Sequence, residues 1–127
     1  MGTQTAAALV SAAKQRVENL SPDQVEREIG NGVLLVDIRE PEERQSGAIP
    51  GDIHAPRGML EFYADPTSPY YRAEFDPDQR IVLYCASSGR SALAADTLRA
   101  LGYANVAHLD GGIKAWIEVG KPVVPAR

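Results

Sequence analysis

The segment Ile81-Val82-Leu83-Tyr84-Cys85-Ala86-Ser87-Ser88-Gly89-Arg90-Ser91-Ala92-Leu93-Ala94-Ala95 changes character twice. It opens as an uninterrupted apolar run, the pattern of a strand buried on both faces. It closes on small, helix-forming residues. A buried strand that passes through a short polar loop into a helix belongs to a βαβ chain, so the expected class is α/β with a mainly parallel sheet. The same junction puts the Cys85 thiol where loop N–H groups and the first unsatisfied N–H groups of a helix converge. A thiolate is favoured over a thiol in such a place. Arg90 and the hydroxyls of Ser87 and Ser88 can add hydrogen bonds to an anionic sulfur, or to an oxyanion bound above it.

Outward from this segment, further elements follow from local signals. Residues 5 to 18 read as an amphipathic helix, taken as an N-terminal extension over residues 1 to 20. Ser21-Pro22-Asp23 is an N-cap with proline at the first helical position, opening a helix to about residue 29 that ends at Gly30-Asn31-Gly32. Val33 to Val36 is a buried strand, Pro41 opens a short helix to 46, and Ile53-His54-Ala55 is a short strand. The helix after the cysteine loop is expected over 91 to 101, with Ala94, Leu98 and Leu101 on one face and Gly102 as its stop. Val106 to Leu109 supplies another strand and Gly112 to Val119 a last helix. Asp37, His54, Cys85 and Asp110 then fall at the carboxyl ends of strands, the edge where open α/β sheets gather ligands.

A lone cysteine that closes an apolar run is otherwise a small buried hydrophobe. The polar residues that follow Cys85 tilt the reading toward a nucleophile, because an inert core thiol has no use for two serines, a glycine and an arginine. For the other polar residues the plain reading is preferred. Asp37 and Asp110 accept turn or arginine hydrogen bonds, Arg39 partners Asp37 or Glu43, and neither His54 nor His108 is assigned to catalysis, since a stabilised thiolate needs no base. Trp116 is core.

Tyr84-Cys85-Ala86-Ser87-Ser88-Gly89-Arg90-Ser91-Ala92 resembles the active-site loop of rhodanese-like sulfurtransferases. Val36 to Glu43 resembles the family's first signature, Gly47 to His54 its second, and Leu109 to Trp116 its C-terminal one. Ala48 stands where the family commonly has a histidine. The resemblance implies an open parallel sheet of about five strands flanked by helices on both faces, with the rhodanese-like domain over residues 21 to 127. It implies that Cys85 attacks a sulfur donor such as thiosulfate, holds a persulfide, and yields it to cyanide, a thiol or a protein thiol. The backbone of Ala86, Ser87, Ser88, Gly89, Arg90 and Ser91 would form the anion-binding loop. No metal or organic cofactor is implied. Arginine falls five positions after Cys85, one short of the spacing in phosphatases and arsenate reductases built on related loops, so those activities are a minor alternative. A sulfur carrier or protein-binding module with little turnover is the principal one.

The chain has 127 residues, 44% of them hydrophobic, with 13 basic against 17 acidic side chains and a net charge of −4. That suits a single domain, and with no basic run it gives nucleic acid no track and an anionic membrane no patch. Any attraction for an anionic substrate must be local. The single cysteine leaves no resolving thiol in the chain, so an acceptor must come from elsewhere. A free thiol and the lack of a signal-like apolar run point to the cytoplasm. Residues 57 to 77 hold five of the eight aromatic side chains in a long connection. It reads as self-packed, with a short helix at 58 to 63. A lid or a homodimer interface, with Arg57 and Arg72 at the mouth of the site, is the alternative.

Overall fold

The computed structural model describes residues 2–127. In chain order the elements are α1 (Ala6–Arg16), β1 (Glu18–Leu20), α2 (Pro22–Gly30), β2 (Leu34–Asp37), β3 (Ile53–His54), α3 (Leu60–Ala64), β4 (Ile81–Tyr84), α4 (Gly89–Ala100), β5 (Val106–Leu109) and α5 (Gly112–Glu118). Short 3-10 turns cover Pro41–Ser46 and Arg57–Met59. All five strands are parallel, in the order β1-β5-β4-β2-β3. The open α/β sheet expected from the sequence is therefore present.

β4 lies at the centre of the sheet because all four of its residues are apolar and buried. Alternation along the strand divides the core in two. Ile81, Leu83 and Cys85 face a layer that includes Val36, Leu60, Phe75, Ala94, Ala95 and Leu98. Val82 and Tyr84 face Val25, Leu35, Ile113 and Trp116 on the other side. Helices α3 and α4 thus cover one face of the sheet, and α2 and α5 the other. From β2 the chain moves outward to β3, then resumes on the other side at β4, which opens a crevice at the carboxyl ends of the central strands.

Local signals account for the helix boundaries. The Ser21 hydroxyl accepts from Gln24 N and the Gln24 side chain accepts from Ser21 N, a reciprocal cap with Pro22 in the first turn. Several boundaries differ from expectation, among them the end of α1, at Arg16 rather than 18, and both ends of α4. α4 begins at Gly89, not 91, so Arg90 and Ser91 belong to its first turn and the loop proper is residues 86 to 88. Leu101 lies beyond the last turn of α4 and is exposed, whereas Ala94 and Leu98 are buried as expected.

β1 was not expected at all. It pairs with β5 through Glu18 opposite Ala107 and Leu20 opposite Leu109, which makes residues 18–20 part of the sheet. α1 packs against α4 and is fastened there by Arg16, whose Nη2 lies 2.6 Å from Asp96 Oδ2. No described helix is long and apolar enough to cross a membrane.

The aromatic connection is largely packing. Phe75 is buried, Tyr63 and Tyr71 lie against the core, and the Tyr71 hydroxyl donates to Phe75 O at 2.7 Å. Arg57 pairs with Glu61, and Arg72 with Glu74 and the His54 carbonyl, so the two arginines that the lid or interface alternative set at the mouth of the site are engaged within or beside their own segment. Phe62 and Tyr70 remain exposed.

Candidate active site

Cys85 follows the last residue of β4, 1% exposed, with its carbonyl accepting from Ile113 N at 3.0 Å. The Ala86 carbonyl accepts from Lys114 N at 3.2 Å, so the first turn of α5 clamps the start of the cysteine loop. Such a close approach requires glycine at 112. Its φ is +62°, and a Cβ there would lie 2.5 Å from the Ala86 carbonyl carbon and overlap Ser87 O. No protein acceptor takes the backbone N–H of residues 86 to 91 among the described residues, where the first helical bond runs from Ala92 N to Ser88 O. This leaves a run of free donors around the end of β4.

Ser88 and Arg90 have their side chains engaged, whereas Ser87 is exposed and makes no side-chain hydrogen bond among the described residues. Ser88 Oγ donates to Asp110 Oδ1 at 2.7 Å and accepts from Gly111 N at 2.8 Å. With its one proton committed to Asp110, Ser88 braces the loop and does not supply the donor to sulfur that the sequence suggested. Lys14 Nζ reaches the same Asp110 oxygen at 3.0 Å. The Ser88 bond, then Lys14, hold the Asp110 carboxyl below the usual carboxylate range. Arg90 places Nη1 and Nη2 on the two Glu43 oxygens at 2.8 and 2.9 Å. This bidentate pair pushes the Glu43 carboxyl down to about 2.

Ser91 is fully buried, with its hydroxyl 2.7 Å from His108 Nδ1. The tautomer follows from the next bonds along. Asn19 Nδ2 donates to the carbonyls of Lys14 and Val17, which turns Asn19 Oδ1 toward His108 Nε2 at 2.6 Å. Nε2 therefore carries the proton, and Nδ1 accepts from Ser91. Burial pushes the His108 imidazole down to about 4 and keeps it neutral.

Beneath Glu43 lies a buried ionic cluster. Asp37 accepts from Arg39 and Arg44, and Arg44 also reaches Asp52, which accepts from the Tyr84 hydroxyl at 2.6 Å. Arg39 donates to the Glu43 and Gly47 carbonyls, so the turn that presents Glu43 to Arg90 is tied to β2. The reading of Asp37 and Arg39 as structural partners fits these contacts. Sequence reasoning named Glu43 only as a partner for Arg39, and did not find its pairing with Arg90, nor Lys14, Asn19 or the glycine requirement at 112. Two surface cavities of about 460 and 310 Å³ lie along the C-terminal segment 124–127, and Cys85 lines neither.

The site sets a cysteine directly after the central strand of an open parallel α/β sheet, with an arginine in the first turn of the helix that follows. The rhodanese-like domain model matches residues 21–119, and the chain belongs to that family. It is 39% identical over 92 residues to a sulfurtransferase of Allochromatium vinosum, covering 72% of this chain and 78% of the relative. It spans only 50% and 59% of two other curated relatives, from Synechocystis and Bacillus subtilis. A Rhodopseudomonas palustris structure, described as a protein of unknown function and possible tyrosine phosphatase, shares 40% identity with a TM-score of 0.91, covering 98% and 97% of the two chains. The homodimeric polysulfide-sulfur transferase of Wolinella succinogenes shares 31% identity with a TM-score of 0.75, covering 92% and 85%. At family level the chain is thus a sulfurtransferase relative.

Proposed function

We propose that the protein transfers sulfane sulfur from thiosulfate or a persulfide donor to a thiophilic acceptor through a Cys85 persulfide. The observation that carries this reading is the sole thiol of the chain at the start of a loop and helix turn whose N–H groups at 86 to 91 have no protein acceptor. In the first half-reaction the Cys85 thiolate attacks the outer sulfur of thiosulfate. A new S–S bond forms, the old one breaks, and the electron pair leaves on sulfite. In the second, an acceptor such as cyanide attacks the terminal persulfide sulfur and departs as thiocyanate, returning the thiolate. Charge stays constant in each step, and the sulfur at residue 85 is anionic before and after.

The free amides belong to the residues directly after Cys85, so donors already unpaired in the fold would stabilise thiolate and persulfide alike. Arg90, in the first turn of α4, adds positive charge beside them, held in place by Glu43. The loop backbone from Ala86 to Ser91 is the binding element, while Ser88 and Ser91 act by fixing its shape.

The likeness to a possible tyrosine phosphatase of Rhodopseudomonas palustris makes phosphatase activity the reading to exclude. Arginine stands one position closer to the cysteine than in loops shaped for a tetrahedral phosphate. Assays of thiocyanate formation from thiosulfate and cyanide, run beside hydrolysis of p-nitrophenyl phosphate, decide the matter. Thiocyanate turnover lost in Cys85→Ser, without phosphate release, is the expected result. Phosphate release that depends on Cys85, without thiocyanate, would overturn it. A stable Cys85 persulfide with negligible turnover would instead identify a sulfur carrier.

A further inference from the structure

We propose that the N-terminal segment, residues 6 to 20, is a working part of the catalytic centre, with Lys14 and Asn19 as positioning residues for the cysteine loop. The inference rests on Cys85 as the reactive sulfur, and it goes beyond the family assignment, whose match begins at residue 21.

Two separate chains of hydrogen bonds run from this segment to the loop. In the first, Lys14 Nζ holds Asp110, Asp110 accepts from Ser88, and Ser88 in turn accepts from Gly111 N. In the second, Asn19 accepts from His108, and His108 accepts from Ser91. The serines at the two ends, 88 and 91, bracket Gly89 and Arg90, so both ends of the loop's arginine-bearing turn are held from the same outside element. Lys14 belongs to both chains, because its carbonyl accepts from Asn19 Nδ2 while its ammonium reaches Asp110. The segment also runs beside the first turn of α4, where Val10 Cγ2 would lie 3.6 Å from a Cβ at Gly89, and its Leu20 carbonyl accepts from Asp110 N at 2.8 Å.

The consequence for chemistry has two parts of the same sign. Geometry comes first: Asp110 is nearly half exposed, and without the ammonium it is free to turn into water and release Ser88. Charge comes second, because an unpaired Asp110 carboxylate beside the loop opposes an anion on Cys85. The first part acts only through Ser88, which makes it separable by experiment.

The test is the rate of Cys85 alkylation by iodoacetamide in the full chain, a readout that does not require sulfur transfer. Lys14→Met keeps the apolar stem of a partly exposed side chain, so the fold is retained, and circular dichroism verifies it. We expect it to react about three- to tenfold more slowly than the parent, since small misplacements of a reacting group cost rate steeply. Lys14→Arg, which keeps charge and reach, should recover most of the rate, and Lys121→Met, remote from the loop, should leave it unchanged. In a Ser88→Ala background the Lys14→Met effect should largely vanish. An unchanged rate in Lys14→Met, or an equal loss with and without Ser88, would overturn the positioning role. Failure of the parent to take sulfur from thiosulfate, with the Lys14 dependence intact, would refute the sulfurtransferase reading and leave this one standing.

Discussion

Arg90 has both terminal nitrogens on Glu43, and that pair sets how its charge can be used. The Glu43 carboxyl, depressed to about 2 first by its bond to Arg90, contributes above the ordinary carboxylate range and is lost only as pH falls through about 2. The pair is therefore intact under any assay condition. Arg90→Ala should slow persulfide formation from thiosulfate about tenfold or more, and Arg90→Lys should recover only part, because lysine cannot bind both Glu43 oxygens at once. Stopped-flow rates of that half-reaction give the answer, and a parental rate in Arg90→Ala removes the arginine from the mechanism. A second residue-scale consequence concerns Gly112. Gly112→Ala must push the Ala86 and Ser87 carbonyls aside, at a positive φ that already disfavours alanine. Activity should fall about a hundredfold while circular dichroism keeps its α/β signature; near-parental activity would show that α5 does not clamp the loop. Cys85 and Arg90 were legible because strand, loop and helix are contiguous in the chain. Lys14 was not, since it meets Asp110 across 96 residues, and no local pattern encodes such a contact.

At the scale of elements, the turn between β2 and β3 is held by charge inside the protein. Asp37 is fully buried and accepts from Arg39 and Arg44, both themselves nearly buried. Removing the anion leaves buried Arg39 uncompensated and Arg44 with Asp52 as its one carboxylate, and breaking a buried pair in this way costs about 3–5 kcal/mol. Asp37→Asn should lower the urea unfolding free energy at pH 7 by roughly that amount, and a loss below about 1 kcal/mol would show that the cluster relaxes freely. The cysteine loop should suffer in the variant even where it still folds, because Arg39 also holds the Glu43 carbonyl. Most elements were legible from proline, glycine and apolar runs. β1 was not, because only Leu20 of its three residues is buried and Glu18 and Asn19 are exposed, which gives no apolar run to read. The start of α4 was misplaced for a related reason: Gly89 is a poor helix former and Ser88 gives it no side-chain cap, so no local signal marks the first turn.

For the whole molecule, burial of neutral His108 makes stability depend on pH. Its folded-state value of about 4 lies below the unfolded 6.5, so the unfolded chain binds the extra proton and stability falls as pH drops from 6.5 toward 4. Between pH 7.5 and 5 this amounts to about 2 kcal/mol, in a range above most carboxylate titration. Urea unfolding across that range should show the slope in the parent and lose it in His108→Gln; a slope that survives the substitution assigns it elsewhere. The net charge of −4 has its own consequence. With no long-range attraction for an anionic donor, sulfur capture must depend on the loop amides and Arg90 alone. The most direct measurement is the intact mass of the reduced protein after incubation with thiosulfate and then with cyanide. Gain of one sulfur atom, absent in Cys85→Ser and removed by cyanide with thiocyanate formed, is the predicted result. An unchanged mass, with the thiol shown to be reduced and the protein folded at the start, would contradict the account.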